Sequence, residues 1–517
     1  MNALRIAYSL ACMALAQVAC SASAQCPLSF GSAAGFPAGP GPRSVAVADF
    51  NGDGRPDIAV ATQHANSVAV LLATGPIGDG SFSLTGNFGV GLEPISVRVG
   101  DFNRDGVTDL ATANSASNTV SILSGNGAGG FTSSGTYAVG ASPSWVAVGD
   151  LNQDGVVDLA VSNWNTPQVA VLLGNADGTF MPAAFHALRA GSNSIANGDF
   201  NGDGLVDLAS PDYSTQSISV LLGRGDGTFE APVTYDVGID PVFVAVGDFN
   251  RDGRPDLAVA NIHDNSVSVL LAATNGGFSQ QATFAVETNP QSIAISDYNG
   301  DGVADLATSS SGGGVSILVG RGDGTFDAAT TYSAGSGPHA IASEDLNGDG
   351  LPDLAVGNWI GNDVSVFLNT STGRPEITVQ PPASRAVPIG GTLSLSVEAS
   401  SASPITFQWR QGGIVLVDGE NVFGSATNTL VITNTVQERE GTYDVVLANA
   451  CGSINSRQTL VEVRCLADWN QNGMLNSQDF FRFLADFFEG IADFNGDGAT
   501  TSQDFFDYLA AFFTGCA

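Results

Sequence analysis

The stretch Asp49-Phe50-Asn51-Gly52-Asp53-Gly54-Arg55-Pro56-Asp57, followed by Ile58-Ala59-Val60, recurs six more times. The further copies start at Asp101, Asp150, Asp199, Asp248, Asp297 and Asp345, at spacings of 52, 49, 49, 49, 49 and 48 residues. Seven copies at so constant a period mean seven copies of one supersecondary unit. Each copy sets oxygen-bearing side chains at positions 1, 3, 5 and 9, with Gly at position 6. A hard cation needs this arrangement: carboxylates and an amide converge on a tight turn, and Gly permits the bend. An Asx-rich surface turn would not hold all four positions through seven copies. Position 7 would lend only a backbone carbonyl, which explains why Arg55, Val107 and Leu351 are all tolerated there.

The candidate ligands are therefore Asp49, Asn51, Asp53 and Asp57 in the first loop, and Asp101, Asn103, Asp105 and Asp109 in the second. Asp150, Asn152, Asp154 and Asp158 follow, then Asp199, Asn201, Asp203 and Asp207. The last three loops supply Asp248, Asn250, Asp252 and Asp256; Asp297, Asn299, Asp301 and Asp305; and Asp345, Asn347, Asp349 and Asp353.

The segment running into each loop is apolar with period-two alternation, a second and a third strand follow the loop, and helical periodicity is absent. Ser44-Val45-Ala46-Val47-Ala48 leads into a loop, Asp256-Leu257-Ala258-Val259-Ala260-Asn261 leaves one, and Ser217-Ile218-Ser219-Val220-Leu221-Leu222 follows. A Gly-rich turn ending in Phe comes next, as in Gly223-Arg224-Gly225-Asp226-Gly227-Thr228-Phe229, then a fourth strand such as Val233 to Val237. Four short strands per unit of about fifty residues, seven times, predict a seven-bladed β-propeller over residues 25–370. The seventh repeat stops at Val364 to Leu368 with no fourth strand, and Leu28 to Gly39 resembles the missing piece. The N-terminus is expected to complete the last blade, which removes open sheet edges.

The repeats resemble the FG-GAP/VCBS family, the blades of integrin alpha-subunit propellers and of many exported bacterial proteins. The resemblance covers about two thirds of the chain. It implies Ca²⁺ in the D-x-N-x-D-G-x-x-D loops and no single activity, since such propellers serve adhesion, sugar binding and, in some relatives, catalysis.

The 517 residues suffice for three or four domains. Arg5, an apolar run from Ile6 to Ala19 and the small-residue site Ala22-Ser23-Ala24 read as a secretory signal over residues 1–24. Cys20 fits a lipoprotein site less well, because Gln17 stands where an aliphatic residue is wanted. Net charge is −34, and all 17 basic residues are Arg. Nucleic acid and anionic membranes are poor partners for such a chain, and chemistry that needs a lysine amine is excluded. With 43% hydrophobic residues the chain can still build cores. Bound cations reconcile the two properties: the seven loops hold 21 carboxylates and two later loops five more, 26 of the 51 acids.

Residues 371–375 read as a linker. Residues 376–464 resemble an immunoglobulin-like domain, with Trp409 in Phe407-Gln408-Trp409-Arg410 as the buried tryptophan and Gly441-Thr442-Tyr443 as the tyrosine corner. Val397 and Val445 take the places of the inter-sheet cysteines. Residues 465–517 contain two further loops of EF-hand spacing. Their candidate ligands are Asp468, Asn470, Asn472, Asn476 and Asp479, then Asp493, Asn495, Asp497, Thr501 and Asp504. Each loop leads into a helix with Phe480, Leu484 and Phe487, or Phe505, Leu509 and Phe512, on one face. The pair resembles a dockerin, which implies a cohesin-like docking partner. Cys465 and Cys516 bracket this small unit and are expected to pair, leaving Cys26 and Cys451 unassigned.

The four histidines sit in no nucleophile-elbow or metalloprotease pattern. Arg224-Gly225-Asp226 and Arg321-Gly322-Asp323 are turn variants within the repeat. His64, Trp164, Tyr213, His263, Trp359, Trp145 and His339 are expected in loops on the face opposite the metal loops, where they would suit sugar or protein contacts. The expectation is an exported, Ca²⁺-dependent recognition or adhesion protein that binds a carbohydrate or surface protein. The rival is a polysaccharide lyase or hydrolase delivered through a dockerin.

Overall fold

A computed structural model describes residues 28–514, apart from 77, 274–275, 372–374, 402–403, 450, 465–466, 471–474 and 495–498. The signal segment 1–24, Cys26 and the Cys465–Cys516 pairing lie outside the described residues. The chain forms two compact units, Leu28–Ser371 and a second one that takes in Thr372–Ala517.

The first unit is built of seven four-stranded antiparallel sheets. In sheet 1 the strands are Pro42–Ala48, Asp57–Thr62, Ser67–Thr74 and Ser81–Gly89, paired in that order. In every sheet the second strand opens with the position-9 Asp: Asp57–Thr62, Asp109–Asn114, Asp158–Asn163, Asp207–Asp212, Asp256–Asn261, Asp305–Ser310 and Asp353–Asn358. All residues of these strands are buried, so both faces are covered. That is why they read as apolar runs and not as an alternation.

Six of the seven innermost strands begin with proline (Pro42, Pro94, Pro143, Pro241, Pro290 and Pro338), and each ladder shifts register directly after it. Proline has no N–H for the ladder, so it is tolerated at a strand start beside a bulge. The innermost strand of sheet 4 lacks the proline and is short, Ala196–Gly198.

Each innermost strand packs against the next, and Pro338–Glu344 of sheet 7 packs against Pro42–Ala48 of sheet 1. The last sheet is completed from the N-terminus, as expected. Ala34–Pro37 pairs with Asp363–Phe367 in the register Phe36↔Val364, and Gly31 N donates to Leu368 O at 2.8 Å. Between sheets, the aromatic residue at loop position 2 meets the Phe of the following repeat's Gly-rich turn edge-on. Phe50–Phe131, Phe102–Phe180, Phe200–Phe278 and Phe249–Phe326 have centroids 5.5–5.8 Å apart. Such pairs contribute beyond their area, and they join the loop of one sheet to the turn of the next.

In the second unit a six-stranded sheet faces a three-stranded one across a core that contains Val397, Trp409, Tyr443 and Val445, all buried. Trp409 Nε1 donates to Thr427 O at 2.9 Å and Tyr443 Oη donates to Arg439 O at 2.8 Å. Val397 and Val445 share this core in the absence of a bridge between them. Cys451 is buried and disulfide-bonded.

Two helices follow, α1 (Ser477–Phe488) and α2 (Ser502–Thr514). The expected helical faces need correction. The centre is Phe483 stacked on Tyr508, 3.8 Å apart at 7°, both fully buried. Phe480, Phe487, Phe505 and Phe512 pack around that pair, while Leu484 and Leu509 are only half-buried and outside the cluster. Four of the six expected face residues pack there, and at the centre Phe483 and Tyr508 take the places expected of Leu484 and Leu509, one residue on.

Deleting residues 28–37 should lower the melting temperature of the first unit and promote aggregation, because Asp363–Phe367 would become a bare edge. Thermal melts with light scattering check this; unchanged melting would refute closure by the N-terminal strand.

Candidate metal centre

Each loop is tied by the same hydrogen bonds. The position-1 Asp accepts from the position-6 N–H through Oδ2, as in Gly54 N to Asp49 at 2.8 Å and Gly204 N to Asp199 at 2.8 Å. The position-3 Asn Oδ1 accepts from the position-5 N–H, and the position-5 Asp Oδ1 accepts from the position-7 N–H, at 2.7–3.0 Å throughout. Gly at position 6 has φ of 77° to 83° in all seven loops. A Cβ at Gly54, Gly106, Gly204 or Gly253 would meet nothing within 4 Å, so backbone conformation and not space demands the glycine. Position 4 is left-handed too, and there Arg104, Gln153 and Arg251 adopt φ near 60°.

Position 9 is different in kind. Asp57, Asp109, Asp158, Asp207, Asp256, Asp305 and Asp353 are all 0% exposed. Oδ2 of each accepts from the position-2 N–H at 2.8–3.1 Å. Oδ1 of each accepts from an N–H at the end of the third strand at 2.7–2.8 Å. That second donor is Gly125, Gly174, Gly223 or Gly320 in four sheets, where a Cβ would come within 2.2–2.3 Å of the position-8 carbonyl oxygen. The sequence reading expected position 9 to be a ligand and missed this clamp. Its signal was the glycine sixteen or fifteen residues later.

Burial pushes the position-9 carboxyls up, and the position-5 and position-1 carboxylates add to it against the pull of the two backbone bonds. Asp57, Asp207 and Asp256 reach about 6, and Asp305 and Asp353 about 7. In two loops an arginine at position 7 faces the position-5 acid: Arg55 Nη2 to Asp53 at 2.7 Å and Arg254 Nη2 to Asp252 at 2.5 Å.

Among the described residues no three His, Cys, Asp or Glu side chains gather around one point. The donor set nonetheless fits a hard cation. Carboxylate, amide and carbonyl oxygens are the chemistry Ca²⁺ takes, and an oxygen that accepts one N–H keeps a second lone pair.

In the tail, Asp479 and Asp504 are buried. Asp479 accepts from Asn470 N and Asn476 N, and Asn476 Oδ1 accepts from Gln478 N, a capping box at the start of α1. Asp504 accepts from Phe494 N and Thr501 N. Asn472, Asn495 and Asp497 lie outside the described residues. Asp468, Asn470 and Asp493 are described only in the flanking segments.

At the opposite ends of the strands, the loops after the second strands are tied to the loops before the first. Trp164 N donates to Ser142 O and Trp359 N to Gly337 O. Here Trp164 lies 4.6 Å from Tyr213, His64 lies 5.7 Å from Trp359, and His263 Nδ1 pairs with Asp240. Two expected members do not belong. Trp145 and His339 sit within innermost strands, Pro143–Gly149 and Pro338–Glu344, where both are half-buried and Trp145 lies against Arg98 and Phe243. Burial, then the neighbouring Arg43 charge, hold the His339 imidazole well below its ordinary range.

A family model for the FG-GAP-like repeat matches residues 27–60, 49–112, 101–161, 150–210, 199–259, 248–308 and 297–356, each span after the first running from one loop to the next. The chain belongs to the FG-GAP-like repeat family. An immunoglobulin domain model matches residues 374–449. A search of curated proteins finds no relative. Among solved structures, a functionally unknown protein from Desulfotomaculum acetoxidans is 11% identical. It covers 73% of this chain and 99% of its own, at a TM-score of 0.41. Titin M4 is 23% identical over 18% of this chain and 100% of its own, at a TM-score of 0.17. The tandem immunoglobulin repeats of Dlar are 23% identical over 22% of this chain and 62% of theirs, also at 0.17. The FG-GAP-like repeats and the immunoglobulin domain together suggest a recognition or adhesion type of protein.

The two carboxylate roles are separable in sheet 4. Asp203→Ala should lower stability in millimolar Ca²⁺ by up to about 2.7 kcal/mol, the linkage of one site at a hundredfold excess, and by much less in chelator. Asp207→Ala should cost about 3 kcal/mol or more in both, because two buried N–H groups lose a charged acceptor. Paired thermal melts decide it; equal losses for Asp203→Ala with and without chelator would refute metal at that loop.

His339 gives a pH dependence of known sign. Its folded pKa lies below the unfolded value of about 6.5, so the unfolded chain binds the proton first. Stability is present above pH ~6.5 and falls as pH drops below it, by at most about 1.4 kcal/mol per pH unit. The raised position-9 carboxyls act with the opposite sign in both proteins, so the readout is the difference: between pH 7 and 5 in millimolar Ca²⁺ the parent should lose stability relative to His339→Gln as pH falls.

Proposed function

We propose that the seven sheets form a seven-bladed β-propeller that holds Ca²⁺ in its loops and recognises a carbohydrate or surface protein on the opposite face. The ring is supported by packing of successive innermost strands, including that of sheet 7 against sheet 1, and by the N-terminal strand in the last sheet. Calcium is supported by the donor set and by mutual repulsion of the acids in each loop. Bound metal would supply the positive charge that relieves this repulsion. Loops 1 and 5 would bind it less tightly, since Arg55 and Arg254 already occupy their position-5 acids.

The observation that carries the recognition reading is where exposed apolar side chains lie. Of the nine large apolar side chains exposed in the described part of the first unit, five (Leu92, Trp164, Ile239, Trp359 and Ile360, 36–60% exposed) lie in the loops opposite the metal loops, while Leu84, Met181, Phe185 and Val233 are in or beside the outer strands. Large aromatic and aliphatic side chains left in water on one face are the mark of a contact surface. The leader-like segment supports export, and no described helix is long and apolar enough to cross a membrane. Docking through the tail is supported by Phe481 and Phe488 of α1 and Phe506 and Phe513 of α2. They occupy matching positions 25 residues apart and are 62–82% exposed.

Binding of the purified chain to a glycan array and to extracted surface proteins tests the recognition reading. Trp359→Ala and Trp164→Ala should each weaken the interaction found by tenfold or more, within the range of aromatic hot spots. Unaltered binding by both variants, or turnover of a polysaccharide with no stable binding, would replace this reading.

A further inference from the structure

Innermost strands from six of the seven sheets line a single cavity of about 340 Å³. Its lining departs from the repeat pattern at three positions. Three residues before each loop's first Asp, six repeats carry alanine (Ala46, Ala147, Ala196, Ala245, Ala294 and Ala342) and one carries Arg98. Five residues before it, Trp145 and Phe243 stand where the other repeats have Ser or Ala. The three side chains meet. The Arg98 guanidinium lies 4.0 Å from the Trp145 ring centroid, and the Trp145 and Phe243 rings meet edge-on at 4.9 Å.

Arg98 is otherwise underemployed. Nη1 donates to Val97 O at 2.8 Å. Among the described residues no carboxylate pairs with it, and desolvation alone lowers its pKa, to about 10. In a chain of net charge −34, a cation withdrawn from every one of its acids is costly to keep. The contact with Trp145 accounts for one face of the guanidinium and for none of its remaining N–H groups. A planar fork of donors lining a half-open space can bind a carboxylate through two parallel hydrogen bonds. The space stands at the lower end of small-ligand pockets, roughly 300–1,000 Å³. A bare inorganic anion would leave much of it unfilled. The remaining lining residues are aliphatic apart from Ser292 and Ser343, and a lining of both polar and apolar surface suits one sugar ring.

We propose that this cavity binds a small carboxylate of the size of a hexuronic acid, with Arg98 as the bidentate anchor and Trp145 and Phe243 as apolar support. The site lies among the innermost strands and not on the loop face, so it stands or falls independently of the recognition reading.

The test uses the full chain in millimolar Ca²⁺ with D-glucuronate, D-glucose and sulfate as probes, read by calorimetry and thermal shift. Glucuronate should bind and raise the melting temperature, and glucose and sulfate should do so at least tenfold more weakly. Arg98→Ala installs the residue six repeats already carry, so it should fold with an unchanged circular dichroism spectrum and lose glucuronate binding by tenfold or more. Arg98→Gln, of similar length and uncharged, should lose it likewise. No glucuronate binding by the parent, equal binding by sulfate or glucose, or parental binding by either folded variant would overturn the proposal.

Discussion

One buried carboxylate per repeat holds the first unit together. The position-9 Asp reaches back to the start of its own loop and across to the end of the third strand, and ties both to the start of the second strand. A neutral side chain could not serve both donors as well, since hydrogen bonds to a charged acceptor are roughly twice as strong as neutral ones. The cost is a negative charge with no access to water, beside two other acids, and it shows in the upward shift of every one of these carboxyls. The acids of each loop thus repel one another, which is the repulsion the proposed calcium would relieve. Position 9 would serve both structure and that proposed metal, so position 5 is the place where the two roles can be separated.

The same economy runs between sheets. The residue at position 2 donates its N–H to the buried Asp and turns its side chain against the Phe of the next repeat. Leu151 and Leu346 replace the aromatic ring in two loops and still lie in the cluster with Phe229 or Phe82. Each loop therefore links its own sheet internally and to its successor, so a damaged loop should weaken two sheets.

In the second unit, the immunoglobulin-like core keeps its buried Trp409 and the Tyr443 corner without a bridge at Val397 and Val445. Apolar packing suffices there because fourteen residues share one cluster. The helical tail is smaller and relies on aromatic stacking, with Phe483 and Tyr508 at its centre, and on capping carboxylates at both helix starts.

Periodicity made most of this legible without coordinates. The loop motif, four strands per repeat, the missing fourth strand of the last repeat and the Trp409 and Tyr443 landmarks all follow from local residue order, because strand alternation and turn chemistry are local properties. What the tertiary structure alone decided was which oxygens are in water. Asp203 and Asp207 are the same residue four positions apart, yet one is at the surface and the other wholly enclosed. The difference comes from the loop and the third strand closing over Asp207. Trp145 and His339 read as loop residues by their place before a loop, and became strand residues because the ladder extends through them. The meeting of Arg98, Trp145 and Phe243 joins three repeats separated by 47 and 98 residues. No local pattern carries that contact, since it exists only where the innermost strands come together.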